Sequence, residues 1–210
     1  MDGVAPDGSP VAIYLALPPG EAPELIASVV PDAGSILELG SGPGRITRPL
    51  AAAGFAVVAV DNSPEMLDRI DVAETVLADL FTLDLGREFD AVVAASNLVN
   101  VPDRLGDLLH VCRRHVAVGG AVLVERYPWA EPPPSSQRDI GPVRVEFELL
   151  HGDAAGFRGR ATYRLGDESW VQEYDARIVD DEMLAAAAED AGLRLEGWLD
   201  DAGRWALLRR

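Results

Sequence analysis

The stretch that decides the fold is Glu38-Leu39-Gly40-Ser41-Gly42-Pro43-Gly44. It continues the short apolar run 35–39 and precedes a helical pattern over roughly 45–53, which Gly54 closes as a C-terminal cap. Glycine in such a turn permits positive φ and lets backbone N–H groups approach a ligand closely. The helix N-terminus behind the turn favours negative charge. The stretch therefore predicts a strand–turn–helix unit that binds a ligand carrying an anionic group, such as a carboxylate.

Short apolar runs alternate with helical patterns over residues 35–126. Ser63-Pro64-Glu65 opens one of these helices with an N-cap hydroxyl, a proline in the first turn and an acid near the positive helix end. Short buried strands separated by helices indicate βαβ units and a parallel sheet covered on both faces. The predicted class is α/β, with strands at 35–39, 56–60, 74–77, 90–95 and 121–125.

The pattern changes after residue 126. Segment 127–142 contains five prolines and predicts an exposed loop. Three later runs alternate apolar and polar residues, which indicates an antiparallel meander. A final helix and a closing hairpin follow the meander. The predicted strands of the meander are 143–150, 157–165 and 170–178, the helix begins at 180–182, and the hairpin covers 193–199 and 204–208.

We expect one domain over residues 1–210. The Pro- and Gly-rich segment 1–34, with an apolar patch at 11–15 that suits a short helix, is expected to form an N-terminal lid. The inserted loop and meander, 127–179, follow the fifth strand. In open α/β sheets the carboxyl ends of the strands border the ligand crevice, so we expect this insertion on the substrate side.

Two carboxylates follow the next strands. Asp61 ends the second strand 21 residues after Gly40, where a carboxylate can accept both hydroxyl protons of a ribose. Asp79 follows the third strand and is a candidate partner for an adenine amine. A dinucleotide fingerprint would require glycine at position 45, which is Arg45 here, so a nicotinamide cofactor is disfavoured.

The form Glu-x-Gly-x-Gly-x-Gly resembles motif I of the class I S-adenosylmethionine-dependent methyltransferases, of the small-molecule type. The resemblance continues in order through 60–67, 78–80, 89–97 and 118–125. It implies a Rossmann-like seven-stranded sheet whose last strand is antiparallel, and S-adenosyl-L-methionine as cofactor. The cofactor-binding residues that it implies are Glu38, Gly40, Ser41, Gly42, Gly44, Asp61, Asn62, Met66, Asp79, Leu80 and Ser96.

The acceptor side is less well defined. Asn97 follows the fourth strand and is placed either at the methyl group of the cofactor or simply in a turn. Tyr14 either closes over the cofactor or packs against the core. Glu125 and Tyr127, at the end of the fifth strand, are expected to line the substrate side of the crevice. The segment 96–99 departs from the Asn-Pro-Pro-Tyr type of many adenine and amide N-methyltransferases. The catalytic candidates are therefore weak: Glu125, Asn97 and Tyr14.

Composition and charge limit the classes of binding partner and the cellular location that we expect. The net charge is −17, from 35 acidic and 18 basic residues, which repels nucleic acid and anionic membrane surfaces. No apolar run approaches the roughly 20 residues of a membrane helix. Cys112 is the only cysteine, which excludes an intrachain disulfide and a cysteine-cluster metal site. We expect a cytoplasmic monomer or homodimer without a metal ion.

These patterns together predict an enzyme. The expected reaction is transfer of a methyl group from S-adenosylmethionine to a nitrogen, oxygen or carbon of a small molecule or short peptide. Catalysis is expected to come mainly from in-line positioning, with no single indispensable acid or base. The alternative is a sensor or partner subunit that binds S-adenosylmethionine without methylating anything, its crevice filled by the Pro-rich segment.

Overall fold

A seven-stranded sheet forms the centre of the computed structural model, which describes residues 3–210. The strand order is β10-β11-β5-β4-β1-β2-β3, so that β1 lies between β2 and β4. The predicted α/β class and seven-stranded sheet are confirmed. The strands are β1 (Ser35–Leu39), β2 (Ala56–Asp61), β3 (Glu74–Leu77), β4 (Phe89–Ala94), β5 (Val116–Glu125), β10 (Arg194–Trp198) and β11 (Trp205–Arg209).

The strands β1 to β5 pair in parallel, and the central strands β1, β2 and β4 are buried on both faces. Leu37, for example, pairs with Val58 on one side and with Val92 on the other. Apolar side chains from alternate positions feed two separate core clusters, one on each face of the sheet. The helices are α1 (Val11–Ala16), α2 (Ala22–Ala27), α3 (Thr47–Ala52), α4 (Pro64–Leu67), α5 (Leu105–His115) and α6 (Asp181–Asp190). Helices α2 and α3 contribute buried residues to one cluster and α5 and α6 to the other, whereas α1 contributes to neither.

The last strand, β11, runs antiparallel to β5, as the family resemblance implied. Trp205 pairs with Glu125 at one end of this ladder and Arg209 with Ala121 at the other. The predicted hairpin provides the last two strands at one edge of the sheet, where β10 pairs antiparallel with β11. This arrangement places the carboxyl end of β5, where the insertion begins, next to the start of β11.

A second, four-stranded antiparallel sheet has the order β6-β7-β8-β9 and confirms the predicted meander. One of its strands was not predicted, because 136–140 was interpreted as loop. The three consecutive prolines end at Pro134, so the following residues keep the N–H groups with which β6 pairs to β7. The strands are β6 (Ser136–Ile140), β7 (Val143–Asp153), β8 (Gly156–Leu165) and β9 (Glu168–Arg177).

The start of the fifth strand was also placed too late. β5 begins at Val116 rather than at 121, and Gly119 and Gly120 lie inside it. The pairing with β4 shifts register between Phe89 and Ala91, which is the irregularity that a bulge produces. A Cβ at Gly120 would lie 2.8 Å from the carbonyl oxygen of Asp90, so the close approach of β4 requires glycine there.

The N-terminal segment bridges the two sheets. The predicted short helix is present as α1, and Ile13 on it packs against Val143 and Val145 of β7. The helix α2 was not predicted, since its proline, Pro23, lies in a Pro- and Gly-rich stretch; in the structure this proline occupies the first turn of the helix, where it is tolerated. Over residues 3–210, no helix is long and apolar enough to cross a membrane.

Candidate active site

The glycine turn between β1 and α3 adopts left-handed backbone conformations. Gly40 has φ +66° and Gly42 has φ +55°. A Cβ at Gly40 would lie 2.9 Å from Cδ1 of Leu98, so this glycine permits close packing of the next loop. A Cβ at Gly42 would meet no atom within 4 Å, because that position faces open space. Gly42 is therefore the position at which a side chain would enter the space left for a ligand.

Asp61, at the end of β2, shapes the same turn. Its Oδ2 accepts a hydrogen bond from the Gly42 N–H at 2.8 Å, and its Oδ1 accepts one from the Ser63 N–H at 2.9 Å. Burial raises the pKa of the Asp61 carboxyl, while these backbone donors act in the opposite direction. The carboxylate thus joins the glycine turn to the N-terminus of α4, and its remaining lone pairs are available to a ligand.

Glu38 is buried on β1, with 2% of its surface exposed. The Thr47 hydroxyl donates to its Oε2 at 2.6 Å. Burial raises the pKa of Glu38 to about 7, and the hydrogen bond from Thr47 and the charge of Arg45 only partly oppose this. The carboxyl therefore changes its charge near neutral pH.

A cavity of about 250 Å³ lies above this turn. Most of the residues that the sequence assigned to the cofactor line it: Glu38, Gly40, Ser41, Gly42, Asp61, Asn62, Met66, Leu80 and Ser96.

Two of the assigned residues do not line this cavity. A Cβ at Gly44 would lie 2.9 Å from Cγ1 of Ile70, so this glycine allows close packing beneath the turn. The Asp79 carboxylate accepts a hydrogen bond from the Phe81 N–H at 2.9 Å and is exposed, while Phe81 itself reaches the cavity.

A larger cavity, of about 880 Å³, adjoins the first one. The three catalytic candidates Glu125, Asn97 and Tyr14 all line it. Its walls contain all four tyrosines of the chain and three further aromatic residues, Trp129, Phe147 and Trp205. Six residues line both cavities and form their junction: Asp7, Tyr14, Arg45, Ser96, Leu98 and Val101.

The aromatic wall comes from three separate segments. Tyr14 lies on α1, Tyr163 and Tyr174 lie on the meander, and Tyr127 stacks on Trp129 with ring centroids 4.6 Å apart. Burial raises the pKa of each of the four tyrosines, so their hydroxyls are neutral at pH 7. They therefore serve as hydrogen-bonding groups and not as bases.

A polar network joins the N-terminal segment to the meander beside Tyr14. Gln172 on β9 accepts a hydrogen bond from the Tyr163 hydroxyl at 3.2 Å and donates to the Ser9 Oγ at 3.1 Å. Ser9 in turn donates to the Asp7 carboxylate. Ser9 and Gln172 are both buried. This network ties the N-terminal segment to β8 and β9 beside the junction of the cavities.

Glu125 and Arg45 converge on Ser96. The Glu125 Oε2 accepts a hydrogen bond from the Ser96 N–H at 2.7 Å, and Arg45 Nη2 donates to the Ser96 Oγ at 3.1 Å. Burial raises the pKa of Glu125, while the Ser96 N–H and the charge of Arg45 lower it. Sequence reasoning used Arg45 only to disfavour a dinucleotide, whereas its guanidinium lies at the junction of the two cavities.

Comparison with known proteins decides the family. Residues 36–120 match a family described as "Methyltransferase domain", and this segment includes the glycine turn and Asp61. This segment is a methyltransferase domain, and the chain has the fold of solved S-adenosylmethionine-dependent methyltransferases. The cofactor of this family is S-adenosylmethionine, in agreement with the sequence-based expectation.

The fold of this chain is shared with solved methyltransferases along nearly its whole length. The CcbJ methyltransferase from Streptomyces caelestis superposes with a TM-score of 0.75 at 24% identity, covering 93% of this chain and 91% of that chain. The sugar N-methyltransferase KedS8 from Streptoalloteichus superposes with a TM-score of 0.73 at 20% identity, covering 94% and 87%. At these identities the likeness concerns the fold.

Curated relatives match over shorter stretches. An uncharacterized methyltransferase of Mycobacterium tuberculosis is 43% identical over 67 residues, which are 31% of this chain and 28% of that protein. The cypemycin N-terminal methyltransferase of Streptomyces is 30% identical over 149 residues, which are 67% of this chain and 53% of that protein. The chain thus spans about a quarter to a half of these two relatives.

The residues at the smaller cavity fit the family's cofactor. The open space above Gly42 is a cradle that a Cβ would fill, and the Asp61 carboxylate borders it with unused acceptor capacity. Glu38 offers a second buried carboxyl near neutral pKa. S-adenosylmethionine carries a positive charge and ribose hydroxyl groups, which match the Asp61 and Glu38 carboxyls as hydrogen-bond acceptors.

Proposed function

We propose that this chain transfers a methyl group from S-adenosylmethionine to an amino nitrogen of a small molecule or short peptide. The observation that carries the proposal is the junction of the two cavities. The smaller one is built from the methyltransferase glycine turn, and the larger one, lined by aromatic residues, opens from it at Tyr14, Arg45 and Ser96.

The smaller cavity would hold the cofactor. Asp61 would accept the ribose hydroxyl protons, and Glu38 would lie on the side of the cofactor's amino acid group. Bound S-adenosylmethionine supplies a methyl group made electrophilic by its sulfonium. The chain's own task is then to hold the acceptor in line with that methyl group, at about 3–3.5 Å, and to exclude water.

Nitrogen is favoured as acceptor because the larger cavity offers no carboxylate without a partner. Over residues 3–210, no histidine lines either cavity. An amine brings its own lone pair and needs no base at the moment of transfer, unlike a hydroxyl or an acidic carbon. The four carboxylates that line the larger cavity and their partners are Asp7 with Ser9, Glu21 with Arg204, Glu125 with the Ser96 N–H, and Asp175 with Arg158.

The names of similar proteins support the same acceptor atom. The fold relatives include a sugar N-methyltransferase and a glycopeptide N-methyltransferase. The curated relative with the longest matched segment is an N-terminal methyltransferase. We infer an acceptor of intermediate size, because about 880 Å³ exceeds the need of a simple amine.

The Pro-rich segment lines the larger cavity instead of filling it. Tyr127, Trp129 and Pro133 form part of the wall, and β6 is paired into the meander. A sensor whose crevice is closed by this segment would lack such a space. The arrangement therefore favours turnover over simple cofactor binding.

The test is a methyl-transfer assay with labelled S-adenosylmethionine and matched acceptor pairs. Each pair differs only in carrying an amine or a hydroxyl at one position, and the panel includes amino sugars and peptides with free N-termini. We expect label in the amine members only, and none with the Gly42→Val variant, whose side chain would enter the cofactor's space. Equal or faster labelling of hydroxyl members would overturn the nitrogen assignment. Binding of S-adenosylhomocysteine without transfer to any member would favour the sensor.

A further inference from the structure

We propose that Glu125 is a positioning residue that holds the turn Ser96–Asn97 in a strained conformation and so aligns the acceptor side of the junction. In this role it neither gives nor takes a proton. The inference rests on the proposed function, because the turn lies where the acceptor would meet the methyl group.

The turn is unusual in its backbone. Ser96 has φ +56° and Asn97 has φ +60°, in the left-handed region that residues other than glycine rarely adopt. Two other non-glycine residues with positive φ, Ala33 and Asp103, are isolated, so within residues 3–210 this is the one adjacent pair. Such a conformation costs free energy and persists only where its surroundings hold it in place.

Contacts hold the turn at both ends. At its start, Glu125 accepts the Ser96 N–H at 2.7 Å and Arg45 donates to the Ser96 Oγ at 3.1 Å. At its end, the buried Asn100 donates to the Arg177 carbonyl at 2.8 Å and accepts the Tyr127 N–H at 3.0 Å. These contacts join the turn Ser96–Asn97 to β5, to the meander and, through Arg45, to the segment that follows the glycine turn.

The turn lies between the two cavities, so its conformation affects both of them. It follows β4, and Ser96 and Leu98 line both cavities while Asn97 lines the larger one. Leu98 also packs over Gly40 in the cofactor turn. A shift of the turn would move the acceptor wall relative to the cofactor, and a displacement of about 1 Å can cost about 10²-fold in rate.

Glu125 is poorly placed to act as a base. Its Oε2 accepts a hydrogen bond from the Ser96 N–H, and truncating the Glu125 side chain would leave that N–H without its acceptor. A glutamine at this position keeps one acceptor oxygen for the N–H but cannot take up a proton. The pair Glu125→Gln and Glu125→Ala therefore separates positioning from proton transfer.

The experiment compares the steady-state kinetics of these two variants across pH in the full chain. We expect Glu125→Ala to lower kcat by about 10- to 100-fold with cofactor affinity within about threefold. Glu125→Gln should stay within about threefold of the parent kcat, with the same pH profile. Adding Ser96→Gly to Glu125→Ala should recover part of the loss, because glycine adopts positive φ at little cost. The matched control is Glu196→Gln, an exposed glutamate paired with Arg209 on the sheet edge.

Two results would overturn the proposal. Equal loss in Glu125→Gln and Glu125→Ala, with one limb of the pH profile removed, would make Glu125 a base. Unchanged kcat in both variants would mean that the turn holds its shape without Glu125.

Amide hydrogen exchange at 96–100 provides a readout that does not need activity. We expect exchange there to be about tenfold faster in Glu125→Ala than in Glu125→Gln. Equal exchange in the two variants would contradict the restraint. A chain that shows this exchange pattern but methylates nothing would instead contradict the proposed function alone.

Discussion

Replacing Glu38 by glutamine should change how the free energy of unfolding depends on pH. Burial raises the pKa of this carboxyl from 4.5 to about 7. The folded chain therefore binds the proton of Glu38 more tightly than the unfolded chain does. Its contribution to stability is complete below pH 4.5 and is lost as the pH rises through 7. The full difference corresponds to about 3 kcal/mol, at about 1.4 kcal/mol for each unit of pKa.

Urea denaturation at pH 5.5 and pH 8.5 measures this effect. Over that range linkage assigns Glu38 a change of about 2 kcal/mol, the stability being lower at pH 8.5. The wild type should therefore lose about 2 kcal/mol relative to Glu38→Gln between the two pH values, because the amide does not titrate. Glu196→Gln, which replaces an exposed carboxylate, should run nearly parallel to the wild type. A constant difference between wild type and Glu38→Gln across this range would refute the assignment of a raised pKa to Glu38.

Further variants test the remaining parts of the site. Asp61→Ala should weaken S-adenosylmethionine binding by about 10²- to 10⁴-fold in calorimetry, since two charge-assisted hydrogen bonds to the ribose are worth about 1.5–3 kcal/mol each; unchanged affinity in a folded variant would contradict the ribose assignment. Gln172→Ala removes the link between the N-terminal segment and the meander, so we expect the free energy of unfolding to fall by about 1–3 kcal/mol and the acceptor KM to rise; a change in neither would mean that the N-terminal segment keeps its place without this network. His151→Ala, near the end of β7 and outside the lining of both cavities, should leave kcat within about twofold of the parent, and a large loss there would place the acceptor elsewhere.

The central sheet could be predicted because its signals are local. The run 35–39 and the neighbouring strands are apolar on both faces, and the glycine turn with Asp61 follows a known spacing. The edge strand β6 carries no such signal, because all of its residues except Ile140 are exposed and polar. The bulge at Gly119–Gly120 was likewise hidden, since a glycine pair usually marks a loop.

The residues that line the smaller cavity could be named from the sequence where one motif contains them. Lining and supporting residues that come from distant segments could not. Asp79 was assigned to the cofactor from its position after the third strand and Gly44 from the glycine motif, yet neither lines the smaller cavity. Asn100 was not singled out, because its partners Arg177 and Tyr127 lie 77 and 27 residues away. The aromatic wall of the larger cavity depends in the same way on how the N-terminal segment and the meander meet.

The central claim is methyl transfer from S-adenosylmethionine to an amino nitrogen at the junction of the two cavities. The most direct measurement is carbon NMR of the products formed from S-adenosylmethionine that carries a ¹³C-methyl group, with amine-bearing acceptors. We predict a new N-methyl resonance that requires the wild-type chain and disappears with Gly42→Val. An O-methyl or C-methyl resonance in its place, or an unreacted cofactor under conditions where S-adenosylhomocysteine binds, would contradict the account.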